Sequence, residues 1–281
     1  MIELDKEMLR SLQLIELDLL LELDRVARKA GIPYRIIAGT MLGAVRHGGF
    51  IPWDDDADVA MLREDYERFR IACQTELNDE KYYFQDHKVT DGYRWGYGKL
   101  RRKDTLFLRE HQEHMPYEQG VFIDVFPLDP VPESHLGRTV KNFECFLVRK
   151  FLWARVGKVA DKNPAKRVLY ALMDKMPEKT LFAYYDRMID RARGCRSSWV
   201  RILMFPSPNR CYAYKRKWYA EGEDIAFEGH VFSGVAHADE YLTFKFGEYM
   251  QLPPPKARKT HPVSDIRLLS ENHAEVRNGH R

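Results

Sequence analysis

Asp54, Asp55, Asp56 and Asp58 crowd one short stretch, Phe50-Ile-Pro-Trp-Asp-Asp-Asp-Ala-Asp-Val-Ala-Met61, and any fold that includes it must answer the repulsion among them. If residues 54 to 61 run as a strand, Asp54, Asp56 and Asp58 project on one side while Ala57, Val59 and Met61 pack on the other. Acidic residues are poor strand formers, and like charges side by side destabilise a sheet. A divalent cation removes the conflict, and hard oxygen ligands favour magnesium or manganese over zinc. The bland alternatives are a solvated acidic hairpin tip or a calcium loop. The run lacks the regular ligand spacing and closing glutamate of an EF-hand, which weakens the calcium reading.

A chain of 281 residues can bury a substantial core. Hydrophobic residues make up 44% and aromatic residues 12%, too much for a disordered chain, so the 31% charged residues are expected at the surface. A net charge of +3 gives no electrostatic case for nucleic acid as a partner. Cys73, Cys145, Cys195 and Cys211 are scattered without paired spacing, which reads as reduced thiols; a zinc site using Cys195 and Cys211 has no support from spacing. The N-terminus alternates Leu with Glu and Asp, unlike a signal peptide or membrane span, so a cytoplasmic location is expected.

Helical spacing of Leu9, Leu12, Leu14, Ile15, Leu19, Leu20, Leu23, Val26 and Ala27 predicts an opening helix that Gly31-Ile-Pro33 stops. Tyr34 to Ala38 then reads as a strand, Gly39-Thr40 as a turn, and Met41 to Val45 as the start of a helix with Thr40 as its cap. After the acidic strand, Arg63 to Asn78 is a second amphipathic helix. Strands are expected over 81–84, 93–101, 105–108 and 121–126, as an antiparallel extension of the sheet. In the last of them Phe122, Asp124 and Phe126 share a face. A lone carboxylate on an apolar strand costs roughly 2 kcal/mol or more to bury unless it is paired or metal-bound, so Asp124 is expected at the same metal as Asp56 and Asp58. Leu136 to Arg193 turns helical and basic, with a break near Asn163-Pro164. Short strands and a helix near 237–246 follow, and Pro253-Pro254-Pro255 ends the compact part. The division expected is a catalytic core over 1–135, a basic helical insertion over 136–195, a C-terminal part packing on the core over 196–255, and a loosely held tail over 256–281.

The stretch Gly39-Thr-Met-Leu-Gly-Ala-Val-Arg-His-Gly-Gly-Phe-Ile-Pro-Trp-Asp-Asp-Asp-Ala-Asp58 closely resembles the signature of the LicD/fukutin family of phosphotransferases. Gly98-Lys-Leu-Arg-Arg-Lys-Asp-Thr105, Gly120-Val-Phe-Ile-Asp-Val-Phe-Pro-Leu-Asp129 and Phe246-Gly-Glu-Tyr-Met250 look like further family blocks in family order. The resemblance implies an α+β nucleotidyltransferase fold of the DNA polymerase beta superfamily, with a mixed sheet flanked by helices and, here, a helical insertion. Gly39-Thr40 falls on the superfamily's turn, Asp56 and Asp58 on its acid pair, and Asp124 on its third acid. Val235-Ala-His departs from the family, which often has a proline before the position of Asp239, and a lone His261 stands where the family carries a histidine region. Family members move a phosphorylated small alcohol, phosphocholine or ribitol phosphate, from a cytidine-diphosphate donor onto a cell-surface glycan precursor.

Phosphoryl transfer needs positioning and positive charge. The expectation is therefore that Asp56, Asp58 and Asp124 act as catalytic metal ligands for Mg2+ or Mn2+, and that the Gly39-Thr40 amides cradle a donor phosphate. Arg46, His47 and Lys99 are expected substrate contacts, against the alternative that they line a loop or a solvated strand edge. Trp53 reads as a packing wedge. The basic helices between Lys141 and Arg167 suit peripheral contact with the inner membrane surface, against the ordinary reading of a solvated face. A nucleotidyltransferase for a small molecule, RNA or protein, and a catalytically silent binding subunit, are the competing functions.

Overall fold

The computed structural model describes residue 2 and residues 4–269. In chain order the elements are α1 (Lys6–Lys29), β1 (Arg35–Ile36), α2 (Ala38–His47), β2 (Asp58–Leu62), α3 (Arg63–Glu76), β3 (Tyr82–Gln85), β4 (Gly98–Arg102), β5 (Leu106–Arg109), β6 (Phe122–Pro130), α4 (His135–Ala160), α5 (Pro164–Met173) and α6 (Glu178–Arg193). Then come β7 (Trp199–Arg201), β8 (Tyr214–Lys215), α7 (Lys217–Ala220), β9 (Gly222–Phe227), β10 (His230–Val235), α8 (Ala238–Phe246) and β11 (Val263–Arg267).

The architecture is α+β. A mixed sheet runs in the order β3-β4-β6-β2-β1-β10-β9, with β7 and β8 attached at the far end of β6. β2 pairs parallel with β6 and β1 parallel with β10, while the remaining pairs of this sheet are antiparallel. Helix α1 lays its apolar stripe, Leu12, Leu19, Leu20, Leu23 and Val26, into the core beside Val59, Leu100, Ile123 and Val125 from the central strands. Asp5 caps that helix, its carboxylate accepting from the Met8 N–H at 2.8 Å.

The strand end of β6 is joined to the helical segment by a buried ion pair. Arg63, at the start of α3, donates to both carboxylate oxygens of Asp129 at 2.8 and 2.6 Å and to the Tyr185 hydroxyl of α6 at 3.0 Å. Two-point geometry with the remaining donors engaged is the condition under which a buried pair is tolerated. Helices α4 to α6 bring a second apolar cluster of their own, including Val148, Leu152, Leu181, Tyr185, Met188 and Ile189. Asn163 caps α5, with Pro164 in its first turn, which accounts for the break seen in the sequence.

Three expectations need correction. The acidic strand begins only at Asp58, because residues 54–57 are held by turn and side-chain contacts instead of ladder bonds. β5 does not extend the main sheet but pairs antiparallel with β11, so part of the tail expected to hang loose from residue 256 is an ordered strand. Residues 93–97 form a loop leading into β4. The last dozen residues of that tail lie outside the described residues.

One helix face has no cover among the described residues. Leu136, Val140, Phe143 and Leu147 follow helical spacing along α4 and are 74, 63, 61 and 43% exposed. Among the described residues no helix is long and apolar enough to cross a membrane.

Candidate active site

The site is built on strand register. Asp58 on β2 stands opposite Asp124 on β6, and Asp124 stands opposite Lys99 on β4. Paired residues on neighbouring strands share a face, so the three side chains form one row across three strands. Lys99 donates to the Asp124 carboxylate, and its ammonium lies over the Phe122 ring at 3.3 Å from the centroid.

Main-chain bonds fix where this row sits. The Asp58 N–H donates to the Thr40 hydroxyl at 2.8 Å, and the Asp58 carbonyl accepts from the Ile37 N–H at 3.0 Å. The Asp124 N–H donates to the Ala57 carbonyl at 2.9 Å. Thr40 therefore does not cap α2. That helix starts at Ala38, with Ile37 as its N-cap, which puts Thr40 inside the first turn, buried, with its hydroxyl tying helix to strand. Ala38 adopts φ +50° in this tight entry, and its N–H donates to the Tyr241 hydroxyl at 3.0 Å.

The preceding acids are held one by one. Asp54 packs against the first turn of α2: a Cβ on Gly39 would stand 2.6 Å from its Oδ2, so a larger residue there would push that carboxylate aside. A carboxylate at a helix N-terminus is electrostatically favourable, and it occupies the side of the turn expected to receive a donor phosphate. Gln13 of α1 donates to the carbonyls of Ile51 and Asp54 at 3.2 and 3.0 Å, fixing the loop from behind. Asp55 is buried and accepts from the His261 N–H at 3.1 and 3.0 Å on its two oxygens, and its Oδ1 lies 2.9 Å from His261 Nδ1. Asp56 has His261 Nδ1 at 3.7 Å and an Arg109 guanidinium nitrogen at 3.9 Å.

These placements set the charge states. Burial, then Asp56, Asp124 and Asp54, push the Asp58 carboxyl well above its ordinary range. Burial with Asp56 and Asp55 lifts Asp54 to about 8. Asp56 is also raised, by burial first, against the pull of His261 and Arg109. Burial acts on Asp55 as well, but its hydrogen bond from His261 and the charge of Arg109 outweigh it and leave that acid lowered. Burial brings Lys99 down to about 8 despite Asp124. Glu16 of α1, buried behind the loop with Oε2 unpartnered, is raised by burial and then by Asp56, Asp55 and Asp54.

The row opens into a cleft of about 210 Å³ whose lining includes the charged Asp56, Asp58, Asp124, Lys99, Arg101 and Arg109, with His261, and the aromatic Trp95, Tyr97, Trp153 and Phe205. Gly39, Thr40, Arg46 and His47 are not among its lining residues. Arg46 instead donates to the Tyr249 carbonyl at 2.6 Å, and His47 meets Trp53 edge-on at 6.1 Å. Trp53 is wedged between that ring and the Arg258 guanidinium, 4.7 Å from its centroid. The sequence reading passed over Arg109, Glu16 and the Asp55–His261 contact; a histidine just beyond the three prolines was the only mark of the last.

The chemistry of the donor set fits a hard divalent cation. All the acids offer carboxylate oxygen, and the Asp58 carboxylate accepts no hydrogen bond among the described residues. Among the described residues no three acidic, histidine or cysteine side chains already converge as a ready cage, since Lys99 holds Asp124 and His261 with Arg109 holds Asp55 and Asp56.

Residues 31–151 match the family model described as LicD/FKTN/FKRP, nucleotidyltransferase domain. That stretch of the chain is similar to this nucleotidyltransferase domain. It is 27% identical over 274 residues to the lipopolysaccharide cholinephosphotransferase LicD of Haemophilus influenzae, an alignment covering 93% of this chain and 98% of the relative. It is 29% identical over 161 residues to the ribitol 5-phosphate transferase FKRP of Homo sapiens, covering 50% of this chain and 32% of that protein. An uncharacterized protein of Rickettsia prowazekii is 47% identical over 136 residues, covering 48% of this chain and 46% of that one. The chain therefore resembles phosphotransferases of the LicD/FKRP type.

The hydroxyl bond to the Asp58 amide carries a consequence for stability. Thr40→Val keeps the branched shape and leaves that amide unpaired, so urea unfolding should show a loss of about 1–3 kcal/mol, while Thr40→Ser should be nearly silent. Equal stability of the valine and serine variants would contradict the tie.

Proposed function

We propose that this chain transfers a phosphorylated small alcohol, phosphocholine or a close analogue, from a CDP-linked donor to the hydroxyl of a cell-surface glycan or lipid-linked glycan. The observation that carries the reading is the Asp58–Asp124–Lys99 row, with Asp56 and Arg109 at its edge, facing one cleft in a chain aligned along nearly all of a cholinephosphotransferase. Asp56, Asp58 and Asp124 would hold magnesium or manganese, which when bound neutralises pyrophosphate charge and lowers the pKa of the acceptor hydroxyl.

The chain's own residues supply the rest. The Arg109 guanidinium makes no hydrogen bond among the described residues and approaches Asp56 only at 3.9 Å, so its donors are available to a phosphate. Lys99 places a second positive charge at the floor, held in position by Asp124 and the Phe122 ring. Both cations sit in a partly closed cleft, where preorganised charge acts most strongly on the equatorial oxygens of the transferring phosphoryl group. His261 orients Asp55 and Asp56 from the segment leading into β11, so the C-terminal strap completes one wall.

The acceptor is lipid-borne in this reading, and α4 is the surface that meets the membrane. Its exposed apolar stripe lies in a segment, residues 135–193, with fourteen Lys and Arg against six Asp and Glu, a combination suited to an anionic bilayer surface. The protein should float with vesicles containing anionic phospholipid and not with purely zwitterionic ones, and Phe143→Ser with Leu147→Ser should abolish flotation. Wild-type protein that stays at the bottom of the gradient with both vesicle types would refute the contact.

Product analysis tests the reaction. Incubation with CDP-choline and an acceptor glycolipid should release cytidine monophosphate, and Asp58→Asn should slow release by at least about 100-fold with an unchanged melting curve. Pyrophosphate as the product from a nucleoside triphosphate, or full activity in Asp58→Asn, would favour nucleotidyl transfer or a silent subunit instead.

A further inference from the structure

Five tryptophans are present in the chain, and three carry a resident cation on the ring. Arg258 lies 4.7 Å from the Trp53 centroid, Arg138 4.4 Å from Trp199, and Lys215 5.5 Å from Trp218. The other two, Trp95 and Trp153, have no Lys or Arg over them among the described residues, and these are the two that line the active-site cleft. We infer that Trp95 and Trp153, with Tyr97 and Phe205, form an aromatic box that takes the quaternary ammonium of a choline-type donor and so selects the transferred group. This rests on the phosphotransferase reading above and names the part of the donor that reading leaves open.

The four rings come from separate places in the chain. Trp95 and Tyr97 lie in the loop before β4, Trp153 on α4, and Phe205 after β7, and none is fully buried. Trp95 and Trp153 meet at 5.7 Å between centroids with a 43° tilt, and Tyr97 and Phe205 meet edge-on at 6.0 Å. The Trp95 indole N–H is already spent on the Tyr117 hydroxyl at 3.0 Å, and the Gln119 amide donates to the Gln112 carbonyl at 2.9 Å. Beside the Trp153 indole N–H and the Tyr97 hydroxyl, these four residues offer a ligand π-face. A trimethylammonium group, which cannot donate a hydrogen bond, is suited to such faces.

Position agrees with chemistry. Lys99 Nζ, on the phosphate side, lies 5.6 Å from the Tyr97 centroid, so Tyr97 is the point where the cationic floor meets the aromatic wall. The two-carbon spacer of a choline ester is short, and it requires such adjacency. Stacking of a nucleobase or of a sugar face is the other use of exposed tryptophan, but neither depends on a positive charge in the ligand.

That difference gives the test. Calorimetric binding of CDP-choline to the full chain is compared with binding of its neutral isostere, in which carbon replaces the quaternary nitrogen, and of CDP alone. The wild-type protein should bind CDP-choline roughly 5- to 30-fold more tightly than the isostere. Trp95→Leu and Trp153→Leu should each shrink that ratio toward one while leaving the affinity for CDP unchanged, the latter showing that the cleft is still folded. Equal affinity of wild-type protein for charged and neutral donors overturns the box. So does a loss of CDP affinity in the tryptophan variants, which would assign the rings to the nucleobase. Binding is read without turnover, so a failure of the transfer reaction, seen as no cytidine monophosphate from any donor, is distinguishable from a failure of the box.

Discussion

The structure depends on one register. Parallel pairing of β2 with β6 and antiparallel pairing of β6 with β4 set Asp58, Asp124 and Lys99 side by side, and a slip of one residue would turn Asp58 or Asp124 into the core. Asp58 is held at both its N–H and its carbonyl, by Thr40 and Ile37, so the turn entering α2 acts as a clamp on the strand that follows it. Apolar packing of Val59, Val125 and Ile123 on the opposite face makes the slipped alternative costly as well. Position of the charged row is thus decided by core burial and by two hydrogen bonds from the glycine-threonine turn.

The electrostatic problem posed by the acids is met piecewise. Each carboxylate but Asp58 is set against a particular neighbour: the first turn of α2 for Asp54, His261 for Asp55, His261 and Arg109 together for Asp56, and Lys99 for Asp124. The Asp58 carboxylate accepts no hydrogen bond among the described residues, and burial with Asp56, Asp124 and Asp54 raises it against the pull of Lys245. A site in which one buried carboxylate is left over in this way is suited to an incoming positive charge. Carboxylates, cations and aromatic rings in one lining then let one small cleft treat the two ends of a zwitterionic group differently.

Much of this was legible in the sequence because it is local. Period-two alternation set Asp58 on the face opposite Val59 and Met61, helical spacing gave α1 and α3, and Asn163-Pro164 marked the joint between α4 and α5. The resemblance of the motif blocks supplied the order in which acids from distant strands meet. Contacts across long sequence separations were not readable: His261 reaches Asp55 over 206 residues, and β11 finds β5 across more than 150. Thr40 was misplaced by three positions because the helix starts on Ala38 at positive φ, a geometry that a glycine-threonine pair does not advertise. The aromatic wall went unseen because Trp95, Trp153 and Phe205 belong to three separate segments, and only the packing of α4 beside the sheet brings them to one opening.

Manganese binding tests the central claim most directly, since it reads the carboxylate row without requiring the right donor or acceptor. Titration followed by electron paramagnetic resonance, in the presence of CDP, should show saturable binding to the wild-type protein and at least a roughly 10-fold loss of affinity in each of Asp58→Asn and Asp124→Asn. Affinity unchanged in both variants would place the ion elsewhere and contradict the account.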